Sequence, residues 1–85
     1  EGCMLQTIDL NNNQIEGKIP RSLCNCRNLE VLDIGSNQIL DTFPSWLGAL
    51  PQLRVLVLRS NQLNGSIPSG LLKRIQDGSL VLRCS

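Results

Sequence analysis

Apolar residues recur along this chain in fixed columns that repeat every 24 residues. A leucine opens each period, and further aliphatic side chains follow three and five residues later. In the central period, the alternation of apolar and polar residues between Leu32 and Ile34 predicts a short strand with one buried face. Equivalent strands stacked side by side would form a parallel sheet, and the rest of each period supplies the crossover that parallel strands need. Strands are expected near residues 7–10, 31–34 and 55–58, with a fourth candidate near 80–83.

Further columns keep the same register through all three periods. They are Asn13, Asn37 and Asn61; Gly17, Asp41 and Gly65; Pro20, Pro44 and Pro68; and Leu23, Leu47 and Leu71. A period in the twenties with this order predicts an α/β-type leucine-rich repeat solenoid. We expect short parallel strands on its concave face and irregular or 3-10 segments on its convex side. The predicted repeats span 5–28, 29–52 and 53–76 within a repeat domain of residues 1–76, followed at 77–85 by a degenerate fourth repeat or a C-terminal tail.

The asparagine column lies where the chain leaves each strand and must turn. Backbone groups at a buried turn need partners, and an amide side chain can both donate and accept hydrogen bonds there. We therefore predict that Asn13, Asn37 and Asn61 form a structural ladder. In the glycine column, Asp41 is one of the few residues that tolerates a positive φ, the conformation that we expect at this position.

Composition and charge exclude several classes of function. The 85 residues carry a net charge of +1 and no histidine, so nothing favours a nucleic-acid partner or acid–base catalysis near neutral pH. No apolar run is long enough for direct membrane insertion by this segment. No catalytic constellation, cofactor motif or metal-ligand spacing is evident, because the only close cysteine pair is Cys24 and Cys26. We expect a non-enzymatic protein without cofactor or metal.

The four cysteines do not follow a simple pairing pattern. Four in a short extracellular chain suggest two bridges, but the register puts Cys26 in the column of Leu50, where it would be a small buried apolar residue. A bridge from Cys3 to Cys24 or Cys26 remains an alternative. Cys3 and Cys84 lie about three strands apart, roughly 14 Å, so we expect no bond between them within one molecule.

Two stretches carry a close resemblance to a known class of repeat. Residues 13–20 read N-Q-I-E-G-K-I-P and residues 61–68 read N-Q-L-N-G-S-I-P, which resembles the plant-specific class of extracellular leucine-rich repeats. The strings D-T-F-P-S-W-L at 41–47 and V-L-R-S-N at 57–61 are similar to plant receptor-like proteins, which are membrane-anchored and lack a kinase. Many of those proteins act in disease resistance. The resemblance weakens after residue 71, although residues 80–84 repeat residues 56–60 at a distance of 24.

This resemblance implies a recognition role at the cell surface. The expected function is binding of a peptide or protein ligand in defence signalling, with a co-receptor kinase as a further partner. The expected location is the extracellular, apoplastic side of the plasma membrane, as part of a longer anchored chain. Two alternatives remain: a secreted enzyme inhibitor of the polygalacturonase-inhibitor type, and a truncated repeat protein without a ligand of its own.

Side chains between the buried strand positions face outward on the concave side and form the candidate ligand-binding surface. Arg54 and Arg59 could bind a carboxylate bidentately. The alternative is a solvated face on which Glu30 pairs with Arg54 and contributes about a few tenths of a kcal/mol. Asp33, in an outward column, is expected to contribute less than about 0.5 kcal/mol to stability. The candidate columns are Gln6, Glu30 and Arg54; Asp9, Asp33, Val57 and Val81; and Asn11, Gly35, Arg59 and Arg83.

Two single features lie outside the strands. Asn64-Gly65-Ser66 is an N-glycosylation sequon, which applies if the chain is secreted. Trp46 precedes Leu47 and is interpreted as packing on the convex side, with a role as ligand anchor as the weaker alternative.

The first repeat is expected to lack a cover for its apolar face. It opens directly on Leu5, Ile8 and Leu10 with no polar cap before them. Because each repeat buries its apolar face only against its neighbours, we expect residues 1–85 alone to be marginally folded or self-associating.

Overall fold

A computed structural model describes residues 2–84. Glu1, the first residue of the predicted repeat domain, and Ser85, the last residue of the predicted tail, lie outside the described residues. The chain alternates strands with short helices, two of which are 3-10 helices, labelled η1 and η2. The elements are β1 (Thr7–Asp9), β2 (Glu16–Gly17), η1 (Arg21–Asn25), β3 (Val31–Asp33), β4 (Gln38–Thr42), η2 (Ser45–Ala49), β5 (Val55–Val57), β6 (Gln62–Asn64), α1 (Ser69–Gln76) and β7 (Val81–Arg83).

The predicted parallel sheet is confirmed, and it has four strands in the order β1-β3-β5-β7. Ile8 pairs with Leu32 and Leu32 with Leu56, each 24 residues further on. The last step is longer, because Leu56 pairs with Leu82 and not with Leu80. The expectation that residues 80–84 continue the 24-residue period is therefore wrong by two residues. The α-helix α1 replaces the 3-10 helix of the earlier repeats here, and the longer element accounts for the extra length.

A second sheet, which the sequence pattern did not predict, follows the asparagine turns in the order β2-β4-β6. Its parallel partners lie 22 residues apart, as in Glu16 with Gln38 and Leu40 with Gln62. β2 has two residues, and β6 alternates polar and apolar residues over only three positions. Both are shorter than the four to eight alternating positions that identify a half-buried strand, so the sequence predicts irregular segments here.

The prediction that Asp41 adopts a positive φ is wrong. The non-glycine residues with positive φ are Asn12, Ser36 and Ser60, in the column just before the asparagines. Asp41 instead lies in β4, where its carboxylate accepts hydrogen bonds from the backbone N–H of Ile19 (3.1 Å) and of Thr42 (2.8 Å). Aspartate thus replaces glycine by capping backbone donors in a conformation that any residue can adopt.

The core is a column of aliphatic side chains between the two sheets and the helices. Leu29, Leu32, Leu53 and Leu56 are fully buried. At the N-terminal end of the stack, by contrast, Leu5 is 55% exposed and Leu10 is 42% exposed. The apolar face of the first repeat is therefore uncovered in this structure, as its sequence predicts.

The asparagine ladder links adjacent repeats. The Asn37 side chain donates to the carbonyl oxygens of Leu10 (3.0 Å), Ile34 (2.9 Å) and Gly35 (3.1 Å) and accepts from the backbone N–H of Ile15 (3.1 Å). Asn61 bonds in the same way to the repeat before it, including an accepted bond from the Ile39 N–H (3.0 Å). Each of these two asparagines closes its own turn and joins that turn to the preceding one.

Helix α1 is held against the preceding repeat by a partly buried arginine. Arg74 donates hydrogen bonds to the carbonyl oxygens of Leu50 (2.8 Å) and Leu53, at the end of η2 and just beyond it. Asp77 follows the last residue of the helix, and its carboxylate accepts a hydrogen bond from the Ser79 N–H at 2.8 Å. That hydrogen bond, a second from the Ser79 side chain and the charges of Arg74 and Lys73 lower the pKa of Asp77 below its ordinary value of 3.8.

The structure corrects the interpretation of Cys26 as an isolated apolar residue. Cys26 is buried, but it forms a disulfide with Cys3, with the two Cα atoms 4.5 Å apart. The predicted absence of a Cys3–Cys84 bond is confirmed, since Cys3 has a different partner. Cys24 and Cys84 are free thiols. The bridge ties the N-terminal segment to the turn between the first and second repeats.

Candidate ligand-binding face

The outward positions of the four-stranded sheet define the candidate ligand-binding face. Strand register arranges them in two central rows, and hydrogen bonds beyond the strand ends align a flanking row on each side. The central rows are Thr7, Val31, Val55 and Val81, and Asp9, Asp33, Val57 and Arg83. The flanking rows are Gln6, Glu30 and Arg54, and Asn11, Gly35 and Arg59.

The expected charge pair on this face is present at its first flank. Arg54 Nε lies 3.5 Å from Glu30 Oε1, and both side chains keep substantial solvent exposure, 63% and 37%. An ion pair this exposed contributes little to folding. Both groups therefore remain available to an incoming ligand at a small cost.

Three predicted ligand-binding residues, Asn11, Asp33 and Val57, lie together around Gly35. Asn11 Nδ2 and the Gly35 N–H both donate to Asp33 Oδ1 at 3.0 Å. A Cβ on Gly35 would lie 2.9 Å from Asn11 Nδ2 and 3.3 Å from Val57 Cγ1, so a side chain here would disrupt both contacts. Val57 thus packs over the glycine and is only 7% exposed. The prediction that Val57 is exposed for binding is wrong, because the missing side chain of Gly35 lets its neighbours close over it.

One end of the face is basic. The two-residue shift in the last repeat puts Arg83 beside Val57, not beyond Arg59 as the 24-residue period predicts. Arg59 occupies the adjacent flanking position on the neighbouring strand, and both arginines are exposed. Within residues 2–84 neither arginine is ion-paired, since the ion pair there joins Arg54 to Glu30. Asp9 is exposed at the opposite end of the same row.

A row of valines that was not among the predicted ligand-binding columns runs through the centre of the face. Val31, Val55 and Val81 are adjacent on consecutive strands, and their exposure rises from half-buried to 46% at Val81. The alternation around Ile8, Leu32 and Leu56 predicts that the residue before each of them faces outward. This alternation predicts the outward orientation of Val31 and Val55. The 24-residue period puts Val81 in the column of Val57, and its pairing with Val55 corrects that position.

Comparison with protein families gives two overlapping matches. A model described as leucine-rich repeats in two copies matches residues 3–48, and one described as a leucine-rich repeat matches residues 27–76. The chain belongs to the leucine-rich repeat family. No curated protein and no solved structure matches it. Repeats of this family generally bind proteins or peptides and are typically without catalytic activity.

Other features of this leucine-rich repeat chain bear on what the face can do. Among the described residues, no helix has the length and apolar character needed to cross a bilayer. The same part of the chain holds no cluster of three or more metal-ligating side chains. Asn64, the acceptor of the sequon, is exposed at the end of β6, the edge strand of the second sheet, away from the ligand-binding face. A glycan there would leave the valine row accessible.

Proposed function

We propose that this chain is the peptide- or protein-recognition segment of a plant cell-surface receptor-like protein that acts in defence signalling. The observation that carries the proposal is the valine row, which gives the ligand-binding face an apolar centre between charged borders. Soluble proteins rarely expose a contiguous row of apolar residues, whereas interaction sites combine an apolar centre with a polar rim.

On this face the valines and the arginines would make different contributions to binding. Burial of a ligand's apolar side chains on Val31, Val55 and Val81 supplies affinity at about 25 cal/mol per Å² of apolar surface. Arg59 and Arg83 at the basic end can each hold a ligand carboxylate through two hydrogen bonds. The charges fix the direction in which the ligand lies, because reversing it would set like charges together.

Two further observations support an extracellular location. The Cys3–Cys26 disulfide is the kind of bond that persists in oxidising compartments. The exposed Asn64 sequon is accessible to glycosylation, and the repeat strings resemble those of plant receptor-like proteins. We therefore propose that the segment faces the apoplast as part of a longer anchored chain, with a co-receptor kinase as its second partner.

The test compares two double variants, each of which replaces one exposed aliphatic residue by aspartate and one cation by glutamate, on two different surfaces. Val81→Asp with Arg59→Glu alters the ligand-binding face; Leu72→Asp with Lys73→Glu alters helix α1, where Leu72 is 39% exposed against 46% for Val81. Each immobilised chain is incubated with plant extracellular fluid, and the captured proteins and peptides are identified by mass spectrometry. The unaltered chain and the helix variant should capture the same peptide or receptor ectodomain, and the face variant should lose it.

Other outcomes of this experiment decide against the proposal. Equal capture by both variants would mean that the valine row and its basic border do not bind the ligand. Capture of a cell-wall hydrolase whose activity falls on binding would favour the inhibitor alternative. No capture by any of the three chains would favour a repeat protein without a ligand of its own.

A further inference from the structure

A groove of about 410 Å³ opens between the first and second repeats, on the side formed by the second sheet and the 3-10 helices. It is separate from the ligand-binding face. Lys18 and Arg21 line it from the first repeat, and Thr42, Phe43, Ser45 and Trp46 from the second. Its volume lies within the range of about 300–1,000 Å³ that is typical of small-ligand sites.

The groove has an excess of positive charge. Asp41, its one acidic residue, uses both carboxylate oxygens to accept backbone N–H groups from Ile19 and Thr42. In the described part of the chain, neither Lys18 nor Arg21 forms an ion pair. Both cations are exposed at the groove. With two cations and one carboxylate in its lining, the groove carries a net charge of +1.

The remaining lining combines an aromatic wall with hydroxyl groups. Trp46 and Phe43 pack against the core and remain partly exposed. The residues in the column of Trp46 are Ser22 and Gly70, so the indole belongs to this groove and not to the repeat. The Thr42 and Ser45 side chains are exposed at the same opening and can donate or accept hydrogen bonds.

The fold itself does not require this combination. At the columns of Lys18 and Arg21, the third repeat has Ser66 and Ser69, and it stacks with the same strand register as its predecessors. The cations are thus a property of one groove and not of the repeat, which favours a role in binding over a role in folding.

We propose that this groove binds an acidic saccharide, that is, a chain of sugar rings that carry carboxylates. Arg21 and Lys18 hold the carboxylates, Arg21 with two parallel hydrogen bonds. Thr42 and Ser45 bond ring hydroxyls, and Trp46 offers its apolar surface to the C–H face of one ring. A small inorganic anion would leave the aromatic wall and the hydroxyls unused, and an apolar ligand would leave the two cations unpaired. This site goes beyond the proposed recognition of a peptide or protein on the concave face.

Trp46 makes the site directly observable, because it is the only tryptophan and the chain has no tyrosine. The full chain is titrated with a trimer of galacturonic acid while Trp46 emission and the heat of binding are recorded. The fully methyl-esterified trimer keeps the rings and removes the charge, and sodium sulfate at matched ionic strength supplies the charge without the rings. Only the acidic trimer should give a saturable change.

The variants take their residues from the third repeat. Lys18→Ser with Arg21→Ser gives the groove the residues that stand at Ser66 and Ser69 and should weaken binding of the trimer at least about tenfold. Arg27→Ser with Lys73→Ser removes the same charge from exposed positions outside the groove and should leave binding unchanged. Equal losses in both variants, saturable binding of the ester or of sulfate, or no emission change and no heat with the acidic trimer would each overturn the proposal.

Discussion

The first and second repeats carry nearly the same residues in the same columns, yet their environments differ sharply. Leu29 is fully buried, whereas Leu5 in the same column is 55% exposed. Ile34 is 4% exposed and Leu10 is 42% exposed. The second repeat has a neighbour on both sides and the first has one on only one side in this structure. The same residue in the same column can therefore contribute differently to stability, because the neighbouring repeats determine how much of its side chain is buried.

The asparagine ladder shows the same difference in burial between the first and second repeats. Asn37 is 9% exposed and bonds to both its own turn and the turn before it. Asn13 is exposed, and among residues 2–84 its side chain donates only to the carbonyl oxygens of Leu10 and Asn11 in its own turn. In the first repeat the side chain closes a turn, while in the second it also joins two repeats.

The largest difference between the repeats should appear when the first leucine of each is truncated. Leu29→Ala removes a fully buried side chain and should lower the free energy of unfolding by about 2–5 kcal/mol. Leu5→Ala removes a side chain that is more than half exposed and should cost less than about 1 kcal/mol. Urea unfolding followed by Trp46 fluorescence measures both values, and similar costs would mean that Leu5 is covered in solution, for example by self-association.

The next largest difference in stability should be between alanine substitutions of Asn37 and Asn13. Asn37→Ala leaves the Ile15 N–H and three carbonyl groups without this partner, at about 1–3 kcal/mol for each group that stays buried and unpaired. Asn13→Ala should cost less than about 1 kcal/mol, because water can replace its exposed bonds. Thermal unfolding of the two variants compares them, and equal shifts in melting temperature would contradict the inter-repeat role of Asn37.

Most of the fold followed from the sequence because the period is a global property that local exceptions do not disturb. The strands on the concave face and the uncovered apolar face of the first repeat were predicted for that reason. The second sheet was not predicted, since β2 and β6 have only two and three residues, too few for an alternation of apolar and polar positions to identify a strand. The two-residue shift before Leu82 depends on helix α1 forming in place of a 3-10 turn, a local choice outside the period.

The candidate site was predictable only in part. The pattern identified which columns face outward, and the Glu30–Arg54 pair forms as expected. It could not reveal that Val57 closes over Gly35, because that burial depends on contacts across three strands. Nor did spacing alone decide that Cys3 bonds Cys26 and leaves Cys24 free. Contacts between side chains of neighbouring repeats, unlike the period, cannot be inferred from the sequence of any one repeat.

A further repeat placed before the first repeat should remove the difference in burial between the first and second repeats. Fusing a copy of residues 29–48 ahead of residue 1 keeps the 24-residue period before Leu5 and retains Cys3 for its disulfide. This fusion should bury the exposed parts of Leu5 and Leu10 and raise the free energy of unfolding by about 2 kcal/mol. In that fusion, Leu5→Ala should become nearly as costly as Leu29→Ala is in the unmodified chain. Urea unfolding with sedimentation velocity measures stability and association together. A sharp, concentration-independent melt of the unmodified monomer above about 60 °C, beyond the usual mesophile range, would contradict the expected marginal stability.

The smallest expected contrast is between Asp33 and Asp9, which occupy one row of the ligand-binding face. Asp33 Oδ1 accepts from both the Gly35 N–H and Asn11 Nδ2, in a part-buried position. Asp9 Oδ1 accepts from the Asn11 N–H at an exposed site. We therefore expect Asp33→Ala to cost about 1–2 kcal/mol, more than the 0.5 kcal/mol that its outward position alone suggests. Asp9→Ala should stay below about 0.5 kcal/mol.

Asp33→Asn separates the two contributions of this side chain, its shape and its charge. The amide keeps an acceptor oxygen for the Gly35 N–H but weakens both hydrogen bonds, because neither is then charge-assisted. Its cost should lie between those of Asp9→Ala and Asp33→Ala in the same thermal unfolding series. If Asp33→Ala costs no more than Asp9→Ala, the hydrogen-bond network around Gly35 does not hold in solution.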